Sequence, residues 1–187
     1  GIVVPDREAD FASDPVELFF DLVFVFAFSR LVYHLVHHPG WTGFGEFALL
    51  FLMIWLPWTQ FTWSTNAVPS NSRPVRILVL VATVASVPMA GSVTAAFDEG
   101  GATFAISLGI ILAMGLLVMI VGLPRGSAEQ RSIVEYSIPN WIAIAVAIVG
   151  SFLDRDLRIV LWTGALAIVI SGTVRAGRNE WLIRPKH

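Results

Sequence analysis

The apolar residues of this chain do not alternate with polar ones at helical or strand spacing. They collect into six runs, at about 15–36, 44–63, 75–97, 102–122, 136–152 and 157–174. A helix on the surface of a soluble protein keeps one polar face, so its apolar positions recur every three or four residues. A run near twenty residues long that is apolar on every side is instead long enough to cross a hydrocarbon core of about 30 Å. The pattern predicts an all-α polytopic membrane bundle of six transmembrane helices. Short polar or turn-forming stretches punctuate it: His37-His38-Pro39-Gly40, Asn66 to Pro74, Asp98-Glu99-Gly100-Gly101, Leu123 to Gln130 and Asp154-Arg155-Asp156. Connections this short make consecutive helices antiparallel neighbours in one domain over 15–174, with polar segments 1–14 and 175–187 on either side.

Composition sharpens the picture. Of 187 residues, 56% are hydrophobic and 14% charged, against about 25% charged in an ordinary soluble domain. The acidic stretch around Pro5, Asp6, Glu8, Asp10 and Asp14 is the opposite of a secretory leader's basic start, so the first run is expected to be a retained helix. Basic residues set the orientation. Arg7, Arg73, Arg76, Arg125, Arg131, Arg175, Arg178, Arg184 and Lys186 fall on one side, and Arg155 and Arg158 on the other. Both termini are therefore expected in the cytoplasm, with the chain embedded in the plasma (inner) membrane. A net charge of −2 argues neither for nor against nucleic acid, but no basic cluster occurs and no nucleic-acid partner is expected; the absence of cysteine excludes disulfides and thiol catalysis. No phosphate-binding glycine loop, nucleophile elbow or zinc-protease helix occurs, and no cofactor is expected.

Candidate chemistry concentrates in the first two runs. Asp14, Pro15 and Glu17 have the spacing of a capping box that starts a helix at the headgroup level. Asp21 sits one turn deeper, about 6 Å further along the axis, where capping does not explain it. A carboxylate there costs about 2–3 kcal/mol unless paired, protonated or wetted, so Asp21 is expected to face the protein interior. Arg30 lies in the other half of the same helix and also needs a partner. Glu46 near the start of the second run, or the backbone around His34 and His37 with water, would supply one, closing the outer side of the bundle. His34, His37 and Glu46, with His38 adjacent, have spacing that could ligate a metal. Trp55 lies near mid-span, Trp41, Trp63 and Trp141 fall where an interfacial belt is expected, and Pro57 and Pro88 each remove a backbone donor at depth. Ala82, Ser86 and Ala90, like Gly109 and Ala113, read as small-residue packing seams.

The run Glu17-Leu18-Phe19-Phe20-Asp21-Leu22-Val23-Phe24-Val25-Phe26-Ala27 resembles the bacterial low temperature requirement protein A family of multi-pass membrane proteins. Trp55 and Trp58, followed by Thr62-Trp63 and Asn66, are similar to that family's second helix. The resemblance covers essentially the whole chain. It implies a longer protein in which a second helical half, opened by a Glu-Arg-His-Gly-Leu-Phe motif, follows the approach Arg184-Pro185-Lys186-His187. It implies no particular reaction.

An acidic face within the bundle beside proline-bearing helices supports a carrier or channel for an ion or small solute, with Asp21 and Glu17 as charged elements of its pathway. Arg30, Glu46, Trp55, Trp58 and Asn66 are further pathway or binding candidates. The alternative is a membrane scaffold or regulatory protein whose buried charges only lock helices together. A metal-dependent intramembrane enzyme built on the histidines and Glu46 is a third reading. The expected partners are the lipid bilayer and either a second homologous half or further copies of the chain.

Overall fold

The computed structural model describes residues 15–67, 73–122 and 128–178, and they form six α-helices. These are α1 (Pro15–His37), α2 (Trp41–Ala67), α3 (Arg73–Ser92), α4 (Gly101–Gly122), α5 (Ala128–Ser151) and α6 (Arg155–Arg178). A single 3-10 turn, Val93–Ala95, extends α3. Five stretches are long and apolar enough to cross a membrane: Leu18–His37, Trp41–Thr62, Arg73–Ala95, Gly101–Val121 and Arg155–Val174. The apolar part of α5, Tyr136–Ser151, matches the run expected at 136–152 but is shorter than the other five, because the first turns of that helix are polar (Glu129, Gln130, Arg131).

The connections α1–α2, α3–α4 and α5–α6 are tight and lie together at one end, called here the short-turn end. Gly40 adopts φ +120°, a conformation only glycine takes without strain, and this lets Pro39 and Gly40 reverse the chain within three residues. Three residues on, a Cβ at Gly43 would lie 1.7 Å from the His38 carbonyl oxygen. Glycine is therefore required there for close approach rather than for its dihedral angles.

α3 packs along α4 and α1, α4 along α5 and α2, and α5 along α6. The seam of α3 is the expected one, with Ala82, Ser86 and Ala90 all fully buried. Gly109 on α4 meets Ile144 and Ile148 of α5. Without a hydrophobic force between helices in lipid, close backbone approach through such small residues is what dispersion needs. Phe24, Leu31, Leu50, Ile54, Met89, Phe104, Ile111 and Trp162 fill the interior. Trp162 of α6 donates from Nε1 to the Ala147 carbonyl of α5 at 2.9 Å, so its one polar atom is satisfied at depth. α2, α3 and α5 run continuously through Pro57, Pro88 and Pro139. Each ring costs one backbone bond, and the turns on either side hold the helix.

Candidate functional site

At the short-turn end the α1–α2 hairpin sets His34 and Glu46 level with each other, each a turn or so from the reversal. Glu46 is only 4% exposed and His34 only 5%. His34 Nε2 stands 3.1 Å from Glu46 Oε2. The other carboxylate oxygen accepts from Arg155 Nη2, which arrives from the start of α6. Arg155 is 45% exposed, and its Nη1 lies 3.5 Å from Asp98 Oδ1 in the α3–α4 turn. A buried carboxylate is thus held between an imidazole and a guanidinium that also touches an exposed second carboxylate. Four elements meet in this one cluster.

The imidazole has spare capacity. With its proton on Nε2 for the carboxylate, His34 leaves Nδ1 as a bare acceptor, and that atom is buried without a partner. His38 stacks on His34 at 4.5 Å between ring centres and points its own Nδ1 at the His34 carbonyl. His37 turns the other way, stacked on Tyr33 at 3.8 Å and exposed. His34, His37 and Glu46 do not converge, and among the described residues no three histidine or carboxylate side chains are placed to hold a metal. The i, i+3 spacing leaves the two rings about 60° apart around the axis; His34 lies within the buried arc of α1, and His37 falls past its edge and stacks on Tyr33.

Arg30 is not the partner of Glu46. Its Nη2 donates to Thr94 Oγ1 at 2.9 Å, in the turn that ends α3, and its guanidinium lies 5.7 Å from the Tyr33 ring centre. The hairpin register explains the correction: His34, one turn nearer the reversal than Arg30, is level with Glu46 and already occupies it. Arg155 supplies the positive charge from a helix far along the chain.

Asp21 also departs from expectation. It is exposed on the outside of the bundle, where Oδ1 accepts from Trp58 Nε1 at 2.9 Å. The buried arc of α1 is Phe20, Phe24, Ala27, Leu31 and His34, and Asp21 lies about 100° from Phe20. Because α1 is apolar all round, its sequence does not say which face the protein takes. Trp55 is exposed next to this pair, against Phe51, Phe28 and Trp58 at 5.8, 6.4 and 5.2 Å between ring centres. The side chains of Glu17, Trp63 and Asn66 lie outside the described residues.

Arg158 is the residue that sequence reading missed, having counted there only toward the orientation. It is 8% exposed. Its Nη1 donates to the carbonyls of Ala96 and Asp98 at 3.1 and 2.7 Å, and its Nη2 to those of Ser151 and Leu153 at 3.0 and 3.1 Å. One planar fork closes the ends of two helices from different hairpins. A Cβ at Gly101 would fall 2.6 Å from Nη1, so the opening glycine of α4 makes room for the fork. The signal was available: an arginine at the opening of an apolar run, Leu157-Arg158-Ile159-Val160, flanked by Asp154 and Asp156.

Deeper in the bundle, α2, α4, α5 and α6 leave a small apolar cleft of about 40 Å³, walled by Met53, Pro57, Leu108, Gly109, Ala143 and Ala165 among others. It offers no charge to a solute.

The chain matches the family model described as bacterial low temperature requirement A protein over residues 12–187. It is 31% identical over 167 residues to an uncharacterized protein of Rhizobium meliloti (strain 1021), covering 88% of this chain and 40% of that relative. It therefore spans less than half the length of the curated relative it matches. No solved structure matches it. With the helical membrane bundle and the Asp21-bearing first helix in place, the chain belongs to the bacterial low temperature requirement A family.

Proposed function

We propose that this chain forms part of a carrier or channel for an ion or small solute in the plasma membrane, and that its working carboxylate is Glu46. In this reading α5 is the sixth crossing and both termini lie in the cytoplasm, which the basic-residue count favours, so the short-turn end faces outward. The observation that carries the proposal is the placement of Glu46: almost wholly buried, bonded on one oxygen to an imidazole and on the other to a guanidinium that reaches solvent. A buried carboxylate that served packing alone would be better replaced by an apolar side chain of similar volume.

The geometry supplies an exchange. A cation arriving at Glu46 competes with Arg155, and Arg155 has a second carboxylate, Asp98, already within 3.5 Å to accept it. Loading Glu46 therefore weakens the tie between α2 and the start of α6 without stranding the guanidinium. The membrane-scaffold reading has its own supporting observation in Arg158, whose four carbonyl bonds are purely architectural.

Reconstitution separates the two. Vesicles carrying the chain, with an internal pH dye or a trapped cation indicator, should dissipate an imposed gradient faster than protein-free vesicles. Glu46→Gln should reduce that rate at least about tenfold while the protein stays folded, since the amide keeps the shape but not the charge. Flux no greater than in empty vesicles, together with a Glu46→Gln variant that only melts earlier, would assign the chain to the scaffold class.

A further inference from the structure

Asp21, the seventh residue of α1, lies far from the short-turn end. Thirteen residues of α1 separate it from His34 and twelve of α2 separate Trp58 from Glu46, so at 1.5 Å per residue the Asp21–Trp58 pair is about 18 Å from the His34–Glu46 pair. α3 gives a second ruler. Arg30 is level with Thr94, and nine residues back along α1 brings Asp21 about 13 Å below it, midway between Thr94 and Arg76. Both rulers put an exposed carboxylate near the middle of a core about 30 Å thick. Its neighbours on that face are Leu18, Leu22, Val25 and Trp55, all exposed and all unable to neutralise it. Hydrocarbon does not solvate an ionised carboxylate, and one indole N–H satisfies only one of the several acceptor sites that it carries.

We infer that the α1–α2 face centred on Asp21 and Trp58 is an intramembrane docking surface for a transmembrane helix that brings an ammonium or guanidinium group to mid-depth. Charge complementarity selects this occupant. Around a two-fold axis at this face, a second copy of the chain would set one Asp21 against another. The described arginines that come closest along α1 and α3, Arg30 and Arg76, are each about 13 Å away in depth. The exposed indole of Trp55, packed on the half-buried Trp58 beside the carboxylate, suits a cation further, since a cation over an indole face gains most where water is excluded. The Rhizobium relative carries more than half its length outside the matched segment, enough for such a helix within one polypeptide. This inference does not depend on the role proposed for Glu46.

The test uses the chain in phosphatidylcholine vesicles. Because the sequence has no cysteine, Glu99→Cys in the exposed α3–α4 turn provides one donor-fluorophore site. Three acceptor-labelled leucine–alanine transmembrane peptides are compared: one with a central lysine, one with lysine a turn from its end, and one with none. Energy transfer should report at least about tenfold tighter association for the central-lysine peptide. That advantage should vanish in Asp21→Asn and persist in Asp21→Glu. Equal binding of the three peptides, or an advantage that survives Asp21→Asn, would overturn the inference. So would self-association of donor- and acceptor-labelled copies that Asp21→Asn strengthens, since that assigns the face to a second copy.

Discussion

Arg158→Leu should be among the most damaging single substitutions in the bundle. The change keeps a side chain of moderate volume against Trp162 but removes four charge-assisted bonds to carbonyls. Two of these bonds, to Ala96 and Ser151, are buried, and those to Asp98 and Leu153 are partly so. A buried polar group left unsatisfied costs about 1–3 kcal/mol. The two partly buried carbonyls will recover much of their bonding from water, and removing the buried cation returns its own desolvation cost. Counting the buried pair in full and the others at a fraction gives a net loss of about 3–4 kcal/mol. Arg158→Lys should recover less than half of this, because an ammonium is a point charge that cannot span two pairs of carbonyls as a planar fork does. The assay is equilibrium unfolding in mixed micelles, following the change in tryptophan emission. Gly101→Ala supplies a cross-check. Its new Cβ would press on Nη1 at 2.6 Å and on the Ala96 carbonyl at 2.9 Å. Its cost should therefore fall by about 1 kcal/mol when Arg158 is already Leu, a coupling typical of contacting residues. An Arg158→Lys variant as stable as wild type, or additive costs for Gly101→Ala and Arg158→Leu, would refute the fork as the element that closes the two turns.

Gly43→Ala should prevent normal folding of the α1–α2 hairpin, because its Cβ would overlap a backbone carbonyl at 1.7 Å and not a movable side-chain end; the folded yield after detergent extraction is the readout. Glu46→Gln and Arg155→Gln should be coupled by about 1–3 kcal/mol in a double-mutant cycle, whereas Glu46→Gln and Arg30→Gln should be additive within about 0.5 kcal/mol. Trp58→Phe removes the only bond described for Asp21 and should lower stability by about 1 kcal/mol, with Trp58→Phe adding little once Asp21 is Asn. Cysteines introduced as Ser70→Cys and Ser127→Cys should react only with reagent on the cytoplasmic side and Glu99→Cys only from outside; outside labelling of Ser127→Cys would reverse the orientation.

Residue order alone determined the class of this protein. Runs apolar on every side, broken by glycine, proline and charge, can only be satisfied as helices in a bilayer, where each backbone group must bond within its own segment. The small-residue seam at Ala82, Ser86 and Ala90 was legible for the same reason, since local spacing fixes which residues share a helix face. What only the tertiary structure decided was which face of each helix turns inward and which distant residue completes each charge. α1 is apolar all round, so nothing in its sequence distinguishes the arc of Phe20 and Phe24 from the arc of Asp21 and Leu22, and the carboxylate expected inside lies outside. Glu46 and Arg30, both needing partners and both near one reversal, were paired by proximity in sequence. The fold gave Glu46 the guanidinium of Arg155, more than a hundred positions away, because a charge in a low-dielectric interior goes to the nearest opposite charge in space, and helix packing sets that distance.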